Sequence, residues 1–442
     1  MSVLHRSLRQ QYPIAVRGEG VHLWDADGKR YLDFSGSAAV NLIGHGQKKV
    51  WKAAAEQAGR LEFVHSSQFT TEAAEEFAAE LVQYCGPHFS GGKVSFTCGG
   101  SEATETAIKL ARQYQVEAGQ PKRYRIISRR QAYHGATLGA LAASGNKRRR
   151  EIYLPLVRDG YAFQHIGMPY CYRCAYKCND CAQKYAKELE LLLGETKGTV
   201  AAFIAEPMSG ATLGAVAPPA GYFERVTELC RTHGVVFIAD EVMTGCGRTG
   251  RNLAMDHFGG RPDIVVLAKG LTSGYLPLGA VVATRKIVQA LESGSGGFTH
   301  GFTFNGHPVA IAAARAVFQI MREDELGSRA AALEKTMRAE LERVMKSSAV
   351  VGDVRGKGLL WAMEFVADKE TRAPFPTTRN FAAKVGEECA KRGVMVYPMQ
   401  GCVDGVLGDH LLLAPPAMIT KKLVAEAAAV IAEAVTAAEH RR

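Results

Sequence analysis

The sequence predicts an α/β protein: a large domain with a mostly parallel sheet covered by helices, and a smaller α+β domain built from the two ends of the chain. Three observations predict it. Between about residues 50 and 310, short β-rich runs alternate with alanine-rich amphipathic segments, the rhythm of a sheet covered on both faces. After about residue 310, long helical patterns bracket the runs 354–365 and 394–414. Near the start, Asp27-Gly28 reads as the turn of a β-hairpin. The corresponding boundaries are 1–55 and 311–442 for the smaller domain and 56–310 for the larger.

The expected strands of the large domain are 93–97, 124–128, 200–205, 235–239 and 264–268, with helical patterns such as 102–118 and 220–233 between them. A C-terminal amphipathic helix is expected over 424–438, where glutamates interrupt the apolar residues. No run of about 18 apolar residues occurs, so no membrane span is expected. The N-terminus lacks the apolar core of a secretion signal. A cytoplasmic location follows, with the ten cysteines as reduced thiols rather than a disulfide framework. The 54 Lys and Arg exceed the 44 Asp and Glu, giving a formal charge of +10. The densest basic run, Lys147-Arg148-Arg149-Arg150, has no interleaved aromatics. It reads as a solvated loop or a local anion contact, not a nucleic-acid groove.

Ligands of open parallel sheets bind beyond the carboxyl ends of the strands, so the residues standing there carry the functional reading. After 93–97 comes CGGSEAT, residues 98–104, opening a helical pattern. Glycines that admit a close ligand and unpaired N–H groups at a helix start make an anion seat there. An ordinary turn with Ser101 as N-cap fits the same letters. After 235–239 stands Asp240, an acid ending an apolar strand, which is costly unless paired. After 124–128 the chain reaches Tyr133-His134-Gly135, and after 264–268 stands Lys269. An anion seat, a carboxylate, an aromatic plate and a lysine are what pyridoxal 5′-phosphate needs. The phosphate takes the helix start, the aldehyde takes the lysine, the carboxylate keeps the ring nitrogen protonated, and the aromatic stacks on the ring.

These residues also resemble a known pattern. From DGKRYLDF, residues 27–34, to Ala414-Pro415-Pro416, the chain is similar to the class III (ω-amino-acid) aminotransferases of fold-type I pyridoxal-phosphate enzymes. The most specific part is DEVMTGCGRTG, residues 240–250, followed nineteen residues later by Lys269. Gly99-Gly100-Ser101, Tyr133-His134-Gly135, Glu206-Pro207 and HGFTFNGHP, residues 300–308, add to it. The resemblance implies that Lys269 bonds the cofactor aldehyde and shuttles protons, and that Asp240 binds the pyridine nitrogen. It further implies that Val242 packs on the ring face opposite Tyr133, with His134 alongside. Gly100 and Ser101 would hold the phosphate, and Glu206 would be the acid near the substrate. Thr303 would reach the phosphate of a neighbouring subunit, which implies a homodimer with shared active sites. The substrates would be a small-molecule amine donor and a carbonyl acceptor in a ping-pong exchange, with neither nucleic acid nor membrane as partner. The dinucleotide-like spacing Gly245-x-Gly247-x-x-Gly250 lacks a helical pattern at its third glycine, so a nicotinamide dehydrogenase is a poor second reading.

Two departures stand out. Many relatives place an arginine just before Ala-Pro-Pro to bind a substrate carboxylate, or slightly earlier; here Leu412 occupies the first place and 393–420 contains no Arg or Lys. Either another arginine supplies that contact, or the main substrate is an amine, amino alcohol or amino sugar with no carboxylate near its reacting carbon. The gap also keeps open a racemase or epimerase, in which the proton returns to the substrate carbon. The second departure is CYRCAYKCNDC, residues 171–181, two CxxC pairs three residues apart. It is expected to be a surface insert of free thiols with no metal, the gap being short for a zinc ribbon. A non-catalytic metal-binding relative built around it is the remaining reading, and an intact Lys269 and Asp240 argue against it.

Overall fold

The computed structural model describes residues 2–157, 162–174, 176 and 180–441. In chain order its strands are β1 (Ala15–Glu19), β2 (His22–Asp25), β3 (Arg30–Asp33), β4 (Lys93–Thr97), β5 (Arg125–Arg129), β6 (Phe163–Ile166), β7 (Val200–Ala205), β8 (Val236–Asp240), β9 (Ile264–Leu267) and β10 (Gly279–Ala283). The remainder are β11 (Val351–Lys357), β12 (Leu360–Phe365), β13 (Val394–Met395), β14 (Tyr397–Gln400) and β15 (Asp409–Leu413). Seven of them form one sheet in the order β4-β10-β9-β8-β7-β5-β6. Its β9, β8, β7, β5 and β6 run parallel, and β10 runs antiparallel to both of its neighbours. This is the large, mostly parallel sheet that the sequence predicts.

Why these runs make buried strands is visible in their alternation, since successive side chains leave a strand on opposite faces. Phe203, Ala205, Phe237, Ala239, Val265 and Leu267 enter one hydrophobic cluster. Their neighbours Ala202, Ile204, Val236, Ile238, Ile264 and Val266 enter another, shared with Ala103, Ala107, Leu110 and Ala111 of the helix Gly100–Glu117. Both faces are therefore dry, which explains why the strands are apolar throughout.

The chain ends meet. The turn between β2 and β3 is held by Asp25, whose Oδ1 accepts from the N–H groups of Asp27 and Lys29, and Gly28 there has φ 79°. β3 then pairs in parallel with β13, Leu32 opposite Val394. The second small sheet, β11-β12-β15-β14, is antiparallel and is flanked by the helices Leu326–Ser347, Phe381–Lys391 and Lys421–His440.

Three strands, β1, β6 and β10, were not expected from the sequence. The solvated-loop reading of residues 147–150 also needs correction. Lys147–Arg150 is a helical turn whose start is capped by Asn146 Oδ1, 3.2 Å from the Arg149 nitrogen, and Arg150 is buried. No helix among the described residues is long and apolar enough to cross a membrane.

Candidate active site

A pocket of about 400 Å³ opens at the carboxyl ends of β4, β7, β8 and β9. Eight of the nine residues singled out from the sequence line it: Gly100, Ser101, Tyr133, His134, Glu206, Asp240, Val242 and Lys269. Thr303 does not; it lies exposed between Gly301 and Phe304, outside the pocket of its own chain.

Adjacent parallel strands bring the central pair together. Asp240 ends β8 opposite Val266 of β9, and Lys269 follows β9 after Ala268. Asp240 is only 4% exposed. Its Oδ2 lies 2.7 Å from His134 Nδ1, and its Oδ1 accepts from the Val242 nitrogen at 3.1 Å. With the carboxylate ionised, His134 is the donor, and the acid keeps acceptor capacity toward the pocket. His134 is fixed in turn: its N–H donates to Ser144 Oγ at 2.8 Å and its carbonyl accepts from Thr104 Oγ1 at 2.8 Å.

Lys269 has φ 45°, a left-handed conformation that costs a non-glycine residue on the order of 1–3 kcal/mol and clusters at functional sites. Its amine is pushed down from 10.5 to about 8, chiefly by burial. The charge of Asp240 opposes that shift, Arg248 and Arg149 add to it, and Glu206 opposes it. The side chain still meets the open pocket. A lysine of this kind is a nucleophile near neutral pH.

The helix Gly100–Glu117 aims its N-terminus at the pocket. Its N-cap is Gly99, with no side-chain cap, and Ser101 lies inside the helix. The reading of Ser101 as N-cap is thereby corrected: Ser101 Oγ accepts instead from the Ala136 nitrogen at 3.0 Å. The open N–H groups and helix dipole form an anion seat. At Gly100 the space is tight: a Cβ there would come 3.0 Å from Val242 Cγ1, so Val242 would have to give way. Gly135 has φ 144°, and its Cβ would strike Ser101 Oγ at 2.8 Å.

Glu206 follows β7 and is buried; its Oε1 accepts from the Tyr133 nitrogen at 3.3 Å, and Arg129 Nη2 lies 3.5 Å from its Oε2. Burial pushes its carboxyl upward, against the pull of His134 and Arg129.

Two features escaped the sequence reading, the placements of Arg248 and Arg149, while Leu412, singled out there, is buried. Arg248 is fully buried, held near 10 by burial, and its guanidinium donates to the carbonyls of Ala414, Pro415 and Asn41 at 3.0, 2.6 and 2.7 Å. It ties the run after β8 to the Ala-Pro-Pro segment. Arg149 lies with its Cζ 4.5 Å from the centre of the Tyr133 ring. Leu412 is buried in β15, in a cluster with Met208 and Ala211 of the pocket wall. Basic letters in a row signalled Arg149; nothing in one sequence signalled its direction.

The cysteine insert is partly described. Cys171 is exposed, and Cys174 Sγ stands 2.9 Å from Cys181 Sγ. Cys178 lies outside the described residues. No group of three or more His, Cys, Asp or Glu among the described residues is placed to hold a metal ion. The spacing Gly245, Gly247, Gly250 sits in turns, and no helix opens at Gly250.

Comparison with known proteins supplies the family. The profile of the family described as aminotransferase class-III matches residues 4–435. The aminotransferase YodT of Bacillus subtilis, itself uncharacterized, is 39% identical, with 98% of this chain and 97% of YodT covered. A mitochondrial γ-aminobutyrate transaminase of rice, Oryza sativa, is 34% identical over 97% of this chain and 82% of its own. The structure of an amine transaminase from an uncultivated Pseudomonas species, in a PLP-bound form, superposes with a TM-score of 0.89 at 34% identity. It covers 99% of this chain and 97% of its own. The chain belongs to the class III aminotransferases, a family of pyridoxal-phosphate-dependent transferases acting on amines and carbonyl compounds. The pocket fits that cofactor. It has a cradle that a Cβ at Gly100 would fill, a buried carboxylate and a lysine of lowered basicity.

Proposed function

We propose that this chain moves an amino group between an amine and a carbonyl acceptor by a ping-pong mechanism, with pyridoxal 5′-phosphate held in the 400 Å³ pocket. The donor would be an ω-amine, amino alcohol or amino sugar, with no carboxylate beside its reacting carbon. One observation carries the reading: Lys269 and Asp240 leave the ends of adjacent parallel strands into one pocket, where the lysine amine is held at about 8.

When bound, the cofactor supplies an aldehyde that captures amines and a cationic ring that accepts the electrons a departing proton leaves behind. Lys269 Nζ would hold it covalently. The same Nζ, when not so engaged, would serve as the general base that takes the proton from the substrate carbon and the general acid that returns it. Asp240, oriented by His134, would face the ring nitrogen and keep it protonated. Tyr133 and Val242 would bracket the ring, and the N–H groups at Gly100 and Ser101 would bind the phosphate. Glu206 would stand beside the substrate. Thr303, exposed and away from its own pocket, would complete the phosphate site of a second copy, making the enzyme a homodimer with shared sites.

The experiment is a panel of donors and acceptors followed in each half-reaction at the cofactor's visible band. Simple amines convert the enzyme and a carbonyl acceptor restores it. A preference for α-amino acids in both halves would remove the donor assignment. Deuterium uptake from solvent without net amino transfer would remove the aminotransferase reading.

A further inference from the structure

The cysteine insert carries a cluster of thiols that amino transfer does not use. Cys171 opens a short helical turn, Cys171–Arg173, and Cys181 is the first residue of the helix Cys181–Glu195. The Sγ atoms of Cys174 and Cys181 stand 2.9 Å apart. That is well inside the about 3.5–4.0 Å at which non-bonded carbon atoms rest, and sulfur is the larger atom. Cys171 is a close neighbour of both. Burial pushes its thiol up, the charge of Cys174 adds to that, and a hydrogen bond with Cys181 opposes it. All three line one cavity of about 1060 Å³, together with Arg173 and Arg372. A small reagent in that cavity meets the pair.

The pair sits at a seam of the fold. Arg173, beside Cys174, donates from Nε to Glu364 Oε1 of β12 at 2.6 Å and from Nη1 to the Arg372 carbonyl at 2.9 Å. Glu364 is also paired with Arg355 of β11, whose Nε donates to the Gly214 carbonyl at 2.6 Å. A covalent link between Cys174 and Cys181 would therefore tie the start of a large-domain helix to the turn that fastens the smaller domain.

We propose that Cys174 and Cys181 are a redox-active dithiol that closes to a reversible disulfide by exchange with a small disulfide. Cys181 reacts first, because open N–H groups at a helix start favour a thiolate. It attacks one sulfur of the small disulfide, which gives a mixed disulfide and releases one small thiol. Cys174 then loses its proton and attacks Cys181 Sγ, forming the internal bond and expelling the second small thiol. Two electrons pass from the pair to the small disulfide, whose two halves leave with the two protons. The sulfurs need only close from 2.9 Å to about 2.05 Å.

The test incubates holoenzyme with oxidised glutathione, as wild type, Cys171→Ser and Cys174→Ser, and maps the products by tryptic mass spectrometry. In the wild type, CAYK, residues 174–177, becomes joined to CNDCAQK, residues 178–184, with the loss of two hydrogen masses. Fragmentation places the bond on Cys181, and dithiothreitol reverses it. Cys171→Ser forms the same bond. Cys174→Ser instead retains one glutathione on Cys181, since nothing resolves the mixed disulfide. The oxidised wild type unfolds at a higher urea concentration than the reduced form, because the closed ring restricts the unfolded chain; Cys174→Ser shows no such rise. None of these readouts depends on turnover, and the wild-type map decides the matter even where a variant fails to fold. A linked peptide that never forms, a bond through Cys171 or Cys178 in its place, or a tightly held metal ion that blocks oxidation overturns the proposal.

Discussion

Burial of the Lys269 amine gives a quantity that can be measured directly. Its ordinary value of 10.5 falls to about 8 in this pocket. At pH 7 the neutral fraction is then about 9%, against about 0.03% for an ordinary lysine, a gain of about 300-fold in nucleophilic amine. The perturbation is pH, and the assay is competitive acylation of cofactor-free protein by a small reagent, with peptide mass spectrometry of Lys269 and of the exposed Lys422 as reference. Labelling of Lys269 rises through a midpoint near 8. Asp240→Asn moves that midpoint lower, because the aspartate charge is what holds the amine up against burial and against Arg248 and Arg149. The same shift has a stability consequence. Between pH 8 and pH 10.5 the unfolded chain binds the proton that the folded chain has lost, so stability of the cofactor-free protein rises with pH across that window. The gain is at most about 3 kcal/mol, reduced by the solvent that reaches the pocket. A Lys269 midpoint above about 10, unmoved by Asp240→Asn, would refute the electrostatic account of the site.

Other residues give independent expectations. Asp240→Asn lowers the rate of amine conversion by about 10²- to 10³-fold with little change in folding, measured by stopped-flow absorbance, since in its proposed role the aspartate would supply the charge that stabilises the cationic ring. Gly100→Val drives its side chain into Val242, and overpacking of this size weakens cofactor binding about 5- to 100-fold in equilibrium dialysis. Glu364 is buried between Arg355 Nη1 at 2.8 Å and Arg173 Nε at 2.6 Å, with the Tyr170 hydroxyl also donating to it. Glu364→Gln leaves those guanidinium groups short of a counter-charge and costs about 3–5 kcal/mol in denaturant unfolding. Under the proposed sharing of sites, mixing Thr303→Ala with Lys269→Ala subunits regenerates an intact site and raises cofactor retention above that of either variant alone; no gain on mixing would remove the cross-subunit assignment of Thr303.

Much of this site was legible because it stands at strand ends, and strand ends show in the sequence as the close of an apolar run. Asp240 and Lys269 were found that way, and Gly100 and Ser101 from glycines preceding a helical pattern. Contacts across the fold were not legible. The bond from His134 to Asp240 joins residues 106 apart, and Arg248 reaches carbonyls 166 and 167 positions away. β10 escaped because its GAVVA run is short and follows a loop rich in glycine and proline; only its pairing with β4 and β9 makes it a strand. The turn at Lys147–Arg150 looked like solvated charge because four cations in a row carry no direction. Tertiary packing gave each its own.

The most direct measurement is the position of the covalent link. Purified protein saturated with pyridoxal 5′-phosphate is reduced with borohydride, digested, and mapped by mass spectrometry. The account predicts one pyridoxyl group per chain, on Lys269, and its loss in Lys269→Ala. A stoichiometric adduct on any other lysine, or label scattered over surface lysines with Lys269 unmodified, would contradict it.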